Sequence, residues 1–310
     1  MVDIIIVGAG TAGLTAAIYA ARAGLSVLVL EKSIHGGQVI QTSIIENYPG
    51  IPALRGSDFA DTLLQQAKAL GVSVHYERIL SANLQADKKQ IDTSKATYHA
   101  KAVIIATGTS PKKLSIPKED TFIGRGVAFC AVCDGAFYKN KDVAVIGGGN
   151  VALGDTLFLS GLAKTVTLIH RSSVFKAEQL QINQAKSREN IRIITDTIVT
   201  EMIGDTSLKE IVLQNQISGA ISHLPVNGVF VAIGSKPDNS VFSHQLQSDE
   251  YGFIQANEDC HTNLPGVFVA GDTRTKQVRQ LVTATADGAV SALAAKEYLD
   301  RFNAIVSTAT

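Results

Sequence analysis

One structural unit occurs twice in this sequence, and that repeat limits the fold more than any other feature. The first copy starts with an apolar, β-branched run at Val2–Val7, which predicts a buried parallel strand. The glycine-rich segment Gly8–Gly13 follows, then an alanine-rich helix predicted from about Gly13 to Ala23, then an apolar strand at Ser26–Leu30. A strand, turn, helix and second strand in this order predict an α/β fold built on a parallel sheet.

The glycine spacing of the first copy has a mechanical reason at each position. Gly8 lets the chain turn tightly, Gly10 leaves room for a pyrophosphate, and Gly13 lets the helix pack closely on the strand. The helix N-terminus offers free N–H groups to phosphate oxygens. Glu31, which lies 18 residues beyond Gly13, closes the second strand where a carboxylate bonds ribose hydroxyls. Together these features predict an FAD site, and the alternative is a glycine-rich turn that binds nothing.

The second copy begins 139 residues later with the same spacing. It predicts a strand at Asp142–Ile146, a helix at about Asn150–Ser160 and a further strand at Thr165–Ile169. The corresponding positions of the two copies are Gly8 and Gly147, Gly10 and Gly149, Gly13 and Ala152, and Glu31 and His170.

The two copies differ chemically where the second strand ends. His170 and Arg171 stand there in the second copy, Lys176 follows, and the carboxylate is missing. Two cations can hold a 2′-phosphate instead, so this copy predicts NADPH rather than NADH. The alternative is a solvated pair of surface charges.

Two further apolar strands belong with the first copy. Ala102–Ala106 runs into Thr107-Gly108, and Val267–Ala270 runs into Gly271-Asp272, so polar groups follow strand ends where open α/β sheets bind ligands. Asp272 is predicted to bond a flavin ribityl or phosphate group, with a turn aspartate as the alternative.

These strands lie on opposite sides of the second copy in sequence, which predicts a discontinuous first domain. We expect two Rossmann-like, three-layer ββα domains of the α/β class, with the second inserted into the first. The predicted FAD-binding domain comprises residues 1–113 and 241–310, and the NADPH-binding domain, which also carries a cysteine pair, comprises residues 114–240.

The chain has three cysteines, of which Cys130 and Cys133 are spaced C-x-x-C. A structural zinc site needs about four ligands, and the remaining Cys260 is alone. The spacing therefore favours a redox pair, with Asp134 as a fitting acid/base. The alternatives are an unreactive pair, and a helix or turn cap at Asp134. Cys260 is expected to be a buried, inert small side chain.

Composition excludes several other classes of protein. The formal net charge is zero, which argues against a nucleic-acid surface. Residues 4–21 carry no charge and approach the length of a membrane span, but they contain three glycines and read as a strand, turn and helix. Asp3 replaces the positive segment of a signal peptide. We therefore expect a cytoplasmic protein that does not cross a membrane.

Taken together, the motifs resemble those of the low-molecular-weight, bacterial-type thioredoxin reductases over essentially the whole chain. The matching segments are Gly8–Gly13, Gly36-Gly37-Gln38, Glu46-Asn47-Tyr48-Pro49-Gly50, Ala106-Thr107-Gly108, Cys130-Ala131-Val132-Cys133-Asp134-Gly135, Gly147–Ala152, and Gly271-Asp272 followed by Arg279-Gln280. The resemblance places Gly37, Gln38, Asn47, Thr107, Gly108, Arg279 and Gln280 at FAD, and Asn150 at NADPH.

The resemblance also implies how electrons move. It implies a homodimer in which Cys133 faces the flavin, Cys130 attacks the disulfide of a thioredoxin-like protein, and Asp134 donates a proton. It further implies that the NADPH domain rotates, so that nicotinamide and the cysteines reach the flavin in turn.

Two departures from the family pattern concern the electron donor. The family's His-Arg-Arg clamp, followed by another Arg, reads His170-Arg171-Ser172 with Lys176 here, and Gly154-Asp155 replace two adjacent glutamates. Glycine inside a helix costs about 1 kcal/mol relative to alanine, which predicts that another group approaches Gly154 closely. Two alternatives stay open: the same flavin–disulfide core fed by ferredoxin or a second flavin, and a redox-inactive flavoprotein.

Overall fold

The computed structural model describes residues 1–42 and 44–308. The chain divides into two compact units, one formed by residues 1–110 and 236–310 and the other by residues 111–235. Both contain a sheet with parallel strands and helices, although the strands Ile79–Asn83, Lys89–Thr93 and Thr97–Ile105 of the first unit pair antiparallel with one another, and the second unit is inserted within the first in sequence, which confirms the predicted fold class.

The strands are β1 (Val2–Val7), β2 (Val27–Glu31), β3 (Ser73–Tyr76), β4 (Ile79–Asn83), β5 (Lys89–Thr93), β6 (Thr97–Ile105), β7 (Thr109–Pro111), β8 (Val127–Ala128), β9 (Asp142–Ile146), β10 (Thr165–Ile169), β11 (Ile191–Ile194), β12 (Thr197–Gly204), β13 (Leu208–Asn215), β14 (Ile221–Pro225), β15 (Gly228–Val231), β16 (Ser235–Pro237) and β17 (Val267–Val269). The α-helices are α1 (Thr11–Arg22), α2 (Gly56–Ala69), α3 (Glu119–Phe122), α4 (Ala131–Asp134), α5 (Asn150–Ser160), α6 (Gln179–Ser187) and α7 (Leu281–Thr308). Short 3₁₀ helices span Gly37–Gln41, Gly135–Tyr138 and Gly271–Thr273.

The first unit is built around β1, which pairs in parallel with β2 on one side and β6 on the other. The full order is β3-β2-β1-β6-β5-β4, with β17 pairing with β6. Ile4, Ile5 and Ile6 are fully buried, as expected for a strand covered on both faces. Helices α1 and α7 pack closely because Gly288 has no side chain: a Cβ there would lie 2.4 Å from the Ala12 carbonyl oxygen.

The second unit repeats this arrangement with β9, α5 and β10. Its parallel sheet has the order β11-β10-β9-β15-β8, and a separate antiparallel sheet has the order β12-β13-β14. The predicted strands at Asp142–Ile146 and Thr165–Ile169 and the helix at Asn150–Ser160 are confirmed. In the first copy the helix starts at Thr11, two residues before the predicted Gly13, because Gly10 already serves as the N-cap.

The chain passes between the units at β7 and β16, which pair with each other. By their packing, residues 111–113 belong to the second unit and residues 236–240 to the first, so both crossings come earlier than the sequence predicts. Burial explains the shift at the second crossing, since Asn239 is only 4% exposed and its side chain bonds residues of the first unit. Within the described residues, the helices are all too short or too polar to cross a membrane.

Candidate functional site

The three glycines of the first turn have different structural reasons. A Cβ at Gly8 would lie 2.4 Å from the Ala106 carbonyl oxygen, and one at Gly13 would lie 1.9 Å from the Gly8 carbonyl oxygen. Gly8 also has a φ of +105°, which disfavours any side chain. A Cβ at Gly10 has nothing nearer than 3.9 Å. Protein packing therefore requires Gly8 and Gly13, whereas Gly10 leaves open space at the start of α1.

Glu31 lies at the end of β2 and holds the turn through both of its carboxylate oxygens. Oε2 accepts the N–H of Ala9 at 2.9 Å, and Oε1 accepts the N–H of Ser33 at 3.0 Å. The side chain is largely buried, with 8% exposed. Because a carboxylate oxygen accepts more than one hydrogen bond, this tie is compatible with the predicted bond to ribose.

A cavity of about 350 Å³ opens beside this turn in the first unit. Its walls include three predicted site residues, Gly8, Glu31 and Thr107, together with Arg78 and Phe242. The volume falls in the range of small-molecule and cofactor pockets. Residues from the ends of β1, β2 and β6 are thus brought together around one space that suits part of a nucleotide.

The loop after β2 is tied to the glycine turn. Gly36 donates its N–H to the Ala9 carbonyl oxygen at 2.7 Å. The Gln38 amide donates to the backbone oxygen and the hydroxyl of Thr109, at 2.6 and 2.9 Å. Further along the chain, the Asn47 amide donates to Gln280 Oε1 at 3.4 Å, although 233 residues separate the two. Of the predicted FAD residues, Asn47 and Gln280 are therefore neighbours, and Gln38 is bonded to Thr109, which follows the predicted Thr107-Gly108.

Asn239 is a site residue that the sequence does not reveal. Its Oδ1 accepts the hydroxyls of Thr107 and Thr273 at 2.9 and 2.6 Å, and its amide donates to the carbonyl oxygens of Gly252 and Thr273 at 3.0 and 3.2 Å. All of its hydrogen-bonding capacity is used inside the first unit. Asn239 thus aligns the loop after β6 with the loop after β17, and a single asparagine after Pro237-Asp238 carries no motif that would have predicted this.

The loop after β17 presents an unpaired acid. Asp272 Oδ1 is buried and has no hydrogen-bond partner among the described residues. Burial raises the pKa of Asp272 above its usual value, while Lys276 and Arg279 oppose the shift. Arg279 donates to the Asp272 carbonyl oxygen at 3.4 Å, and its guanidinium lies 4.3 Å from the ring centre of Phe253. A buried acceptor without a partner is what a hydroxyl-bearing cofactor such as FAD would satisfy.

In the second unit, the glycine turn shows the same division of roles. A Cβ at Gly147 would lie 2.4 Å from the Ala232 carbonyl oxygen, whereas one at Gly149 has nothing nearer than 3.9 Å. Gly148 has a role that the sequence pattern does not reveal, because a Cβ there would meet the His170 ring at 2.2 Å. The imidazole lies over the turn, stacks on Phe175 with 5.1 Å between ring centres, and has Nε2 3.1 Å from the Val174 carbonyl oxygen.

The two predicted phosphate-binding cations lie on the loop after β10. The Lys176 N–H donates to the Gly148 carbonyl oxygen at 2.7 Å, matching the bond between Gly36 and Ala9 in the first unit. The side chains of Arg171 and Lys176 are exposed, and neither forms an ion pair with a described residue. Asn150, by contrast, uses its Oδ1 to accept the N–H of Glu178 at 2.8 Å. The two cations are therefore available to an anion.

Nothing in the described protein approaches Gly154 closely, so that prediction is wrong as far as the chain itself is concerned. A Cβ at this position would meet only Gln181 Nε2 at 4.0 Å, which is ordinary contact. The neighbouring Asp155 is more unusual, because burial raises the pKa of its carboxyl to about 7. In the sequence, Asp155 stands out only as a departure from the family pattern.

Cys130 and Cys133 form a disulfide in the second unit, at the short helix α4. Cys130 Sγ accepts the N–H of Cys133 at 3.2 Å, and Val132 between them is 46% exposed. Both cysteines are partly exposed, so the disulfide is accessible at the surface of its own unit. Cys260 is free and fully buried, and burial raises the pKa of its thiol to about 12, as expected for an inert cysteine.

Asp134 lies directly after Cys133, and burial raises the pKa of its carboxyl to about 6. Its side chain does not cap the 3₁₀ helix Gly135–Tyr138, so the alternative of a helix cap is wrong. A carboxyl that exchanges its proton near pH 6, next to a disulfide, is suited to general acid and base catalysis.

The chain matches the model of one protein family, described as pyridine nucleotide-disulphide oxidoreductase, over residues 2–288. A protein of Listeria innocua named thioredoxin reductase is 41% identical over 302 residues, covering 96% of this chain and 94% of that protein. A 34.2 kDa protein in the rubredoxin operon of Clostridium pasteurianum is 39% identical over 298 residues, covering 96% of this chain and 97% of its own length. The crystal structure of thioredoxin reductase from Streptococcus pyogenes is 35% identical, with a TM-score of 0.92 and coverage of 97% of this chain and 99% of that one. With its two glycine turns and its disulfide, this chain belongs to the pyridine nucleotide-disulphide oxidoreductase family.

Proposed function

We propose that this protein is a thioredoxin-disulfide reductase, which passes electrons from NADPH through FAD and the Cys130–Cys133 disulfide to a thioredoxin-like protein. The observation that carries the proposal is that disulfide, because it lies partly exposed beside a half-buried acid in the same unit as a nucleotide-binding turn. The thioredoxin reductases of Listeria innocua and Streptococcus pyogenes, similar over nearly their whole lengths, support the same function.

The first unit is the proposed FAD domain and the second the proposed NADPH and disulfide domain. FAD, when bound, supplies the chemistry that links a two-electron donor to a disulfide. Gly10 leaves space for its pyrophosphate, Glu31 is placed to bond ribose, and Asp272 offers a buried acceptor without a partner. Gly149 leaves the corresponding space for the pyrophosphate of NADPH, beside Arg171 and Lys176.

The cysteine chemistry balances over one cycle. Two electrons and two protons open the Cys130–Cys133 disulfide to two thiol groups. The Cys130 thiolate attacks the disulfide of the partner and forms a mixed disulfide, and the Cys133 thiolate then attacks Cys130 Sγ. This step restores the internal disulfide and releases the partner as a dithiol. Asp134 holds or returns the proton that the thiolates exchange. The order of the two cysteines follows from the family resemblance.

Asp134 gives this step a predicted pH dependence. Its pKa of about 6 lies above the usual value, so the carboxyl is protonated and able to donate below pH 6, and this contribution is lost as the pH rises through 6. We expect reduction of thioredoxin by the pre-reduced enzyme to show an inflection near pH 6 in stopped-flow measurements. Asp134→Asn should remove the inflection and slow the step by about 100-fold. An inflection that persists in Asp134→Asn would assign it to another group.

The choice of electron donor depends on the loop after β10, where Ser172 replaces an arginine of the family pattern. Its hydroxyl accepts the N–H of Val174 at 3.2 Å, so it lies in the loop that carries Arg171 and Lys176. We expect anaerobic NADPH to bleach the flavin at lower concentrations than NADH, because no carboxylate ends β10. Ser172→Arg should tighten NADPH binding by about ten-fold, the effect of one added charge-assisted bond, and leave NADH binding unchanged.

The same titration separates the alternative donors. If millimolar NADPH neither binds nor bleaches the flavin while reduced ferredoxin or a second flavin does reduce it, the donor in this proposal is wrong and the flavin–disulfide core survives. A protein that binds FAD but yields no two titratable thiols at Cys130 and Cys133 after reduction would instead be a redox-inactive flavoprotein.

We further propose a homodimer in the cytoplasm, in keeping with the family resemblance. The first unit supports this with exposed apolar side chains on α1 and α7, where Tyr19 is 43% and Leu293 is 54% exposed. Such side chains on two packed helices suit a contact between copies. Sedimentation at micromolar concentration tests the dimer.

A further inference from the structure

One carboxylate in the first unit makes more hydrogen bonds than the proposed function uses. Asp287, on α7, is 5% exposed and accepts four bonds of 2.9 Å each. Oδ2 accepts the Gly271 N–H, Arg274 Nε and Lys276 Nζ, and Oδ1 accepts Arg274 Nη2. All three donors belong to the loop after β17, which also carries Asp272.

Positive side-chain charges outnumber the negative charge of the carboxylate at Asp287. The side chains of Arg274 and Lys276 are 2% and 5% exposed, so two cations are buried against one carboxylate. Burial by itself would raise the pKa of Asp287, but the hydrogen bonds from Arg274 and Lys276 hold it below its usual value. Glu258 lies 3.4 Å from Arg274 but is 94% exposed, so it offsets little of the excess.

A second acid, whose Oδ1 atom is buried, interacts electrostatically with this excess charge. Lys276 acts electrostatically on Asp272, whose Oδ1 has no hydrogen-bond partner among the described residues. Lys276 therefore interacts electrostatically with two carboxylates and donates its hydrogen bond to Asp287. Because Asp287 binds the Lys276 ammonium, the Asp272 oxygen stays available to a ligand.

We propose that Asp287 is a positioning residue for the flavin: it fixes the Gly271 N–H and the Arg274 side chain, and it keeps Lys276 bonded to itself, so that the Asp272 carboxylate is left for FAD. This inference rests on the proposed binding of FAD by the first unit. A buried ion pair is weak support for stability alone, and bonds concentrated on one loop favour a positioning role. Without Asp287, Lys276 turns to Asp272 and competes with FAD.

The test compares Asp287→Asn with the double variant Asp287→Asn/Lys276→Met. The single variant leaves Lys276 without its carboxylate, and we expect FAD to bind the apoprotein at least ten-fold more weakly, as followed by quenching of flavin fluorescence. Any flavin that does bind should have a more positive midpoint potential, because Lys276 then neutralises Asp272. The double variant removes the competing cation and should restore FAD affinity to within about three-fold of the wild type, given that ten-fold corresponds to about 1.4 kcal/mol.

A purely structural role predicts a different outcome. The double variant would then bind FAD no better than the single variant. Failure of the double variant to recover FAD affinity therefore overturns the inference, as does normal FAD affinity in Asp287→Asn. If Asp287→Asn does not fold, the single variant Lys276→Met tests the inference. It should keep FAD affinity and shift the flavin midpoint potential to more negative values. An unchanged potential contradicts the inference.

Asp3→Asn is the matched control. Its carboxylate also accepts several hydrogen bonds in the first unit, from Ser26 and Lys101, but at the amino end of β1 and away from Gly8. We expect its FAD affinity to equal that of the wild type. A wild-type chain that binds no FAD would contradict the proposed function itself, whereas normal binding with no effect at Asp287 contradicts only this inference.

Discussion

Cys130→Ser and Cys133→Ser should each abolish reduction of a thioredoxin disulfide while FAD remains bound. The thiolate is the exchanging species, and one sulfur attacks the partner while the other releases it, so neither serine variant completes a cycle. We expect turnover to fall by about three orders of magnitude or more, as is usual when a nucleophile is removed. The flavin spectrum of the purified variants should remain, because both cysteines lie in the second unit and the FAD loops lie in the first.

Cys260→Ala is the control for this prediction, since Cys260 is fully buried and outside the disulfide. It should retain turnover and should still yield two thiols at Cys130 and Cys133 after reduction. Substantial turnover by either serine variant contradicts the assignment of the redox pair. The order of the two sulfurs is read from the variant that shows a thiolate–flavin charge-transfer band, which should be Cys130→Ser because it retains Cys133.

Gly13→Ala and Gly10→Ala should fail in different ways, and the difference tests the FAD site. A methyl at Gly13 would lie 1.9 Å from the Gly8 carbonyl oxygen, so we expect the free energy of unfolding to fall by about 3 kcal/mol or more. A methyl at Gly10 meets no protein atom closer than 3.9 Å, and the backbone there is ordinary extended chain. The apoprotein of Gly10→Ala should therefore be as stable as the wild type.

The loss in Gly10→Ala should appear in cofactor binding instead. The wild type is expected to purify yellow with one FAD per chain, and the methyl would occupy space needed by the pyrophosphate. We expect FAD affinity to fall by about 100-fold, or about 2.7 kcal/mol, in apoprotein titrations. If Gly10→Ala binds FAD normally, the pyrophosphate does not approach this turn.

The sequence by itself determined the parts of the protein that depend on consecutive residues. The strand Val2–Val7, the repeated glycine turns and the helix Asn150–Ser160 follow from apolar runs and glycine spacing, and the structure contains them where they were predicted. The cysteine pair and the insertion of one unit into the other could be inferred in the same way, because spacing along the chain carries that information.

Tertiary structure alone decided which distant residues share a site. Thr107 and Thr273, 166 residues apart, bond each other and share Asn239 as an acceptor, and Gly271 meets Asp287 across 16 residues of loop and helix. The need for glycine at position 148 arises only because the His170 ring lies over it. The raised pKa of Asp134 likewise comes from burial. Each of these features depends on distances between residues that the fold brings together, and no local pattern in the chain encodes such distances.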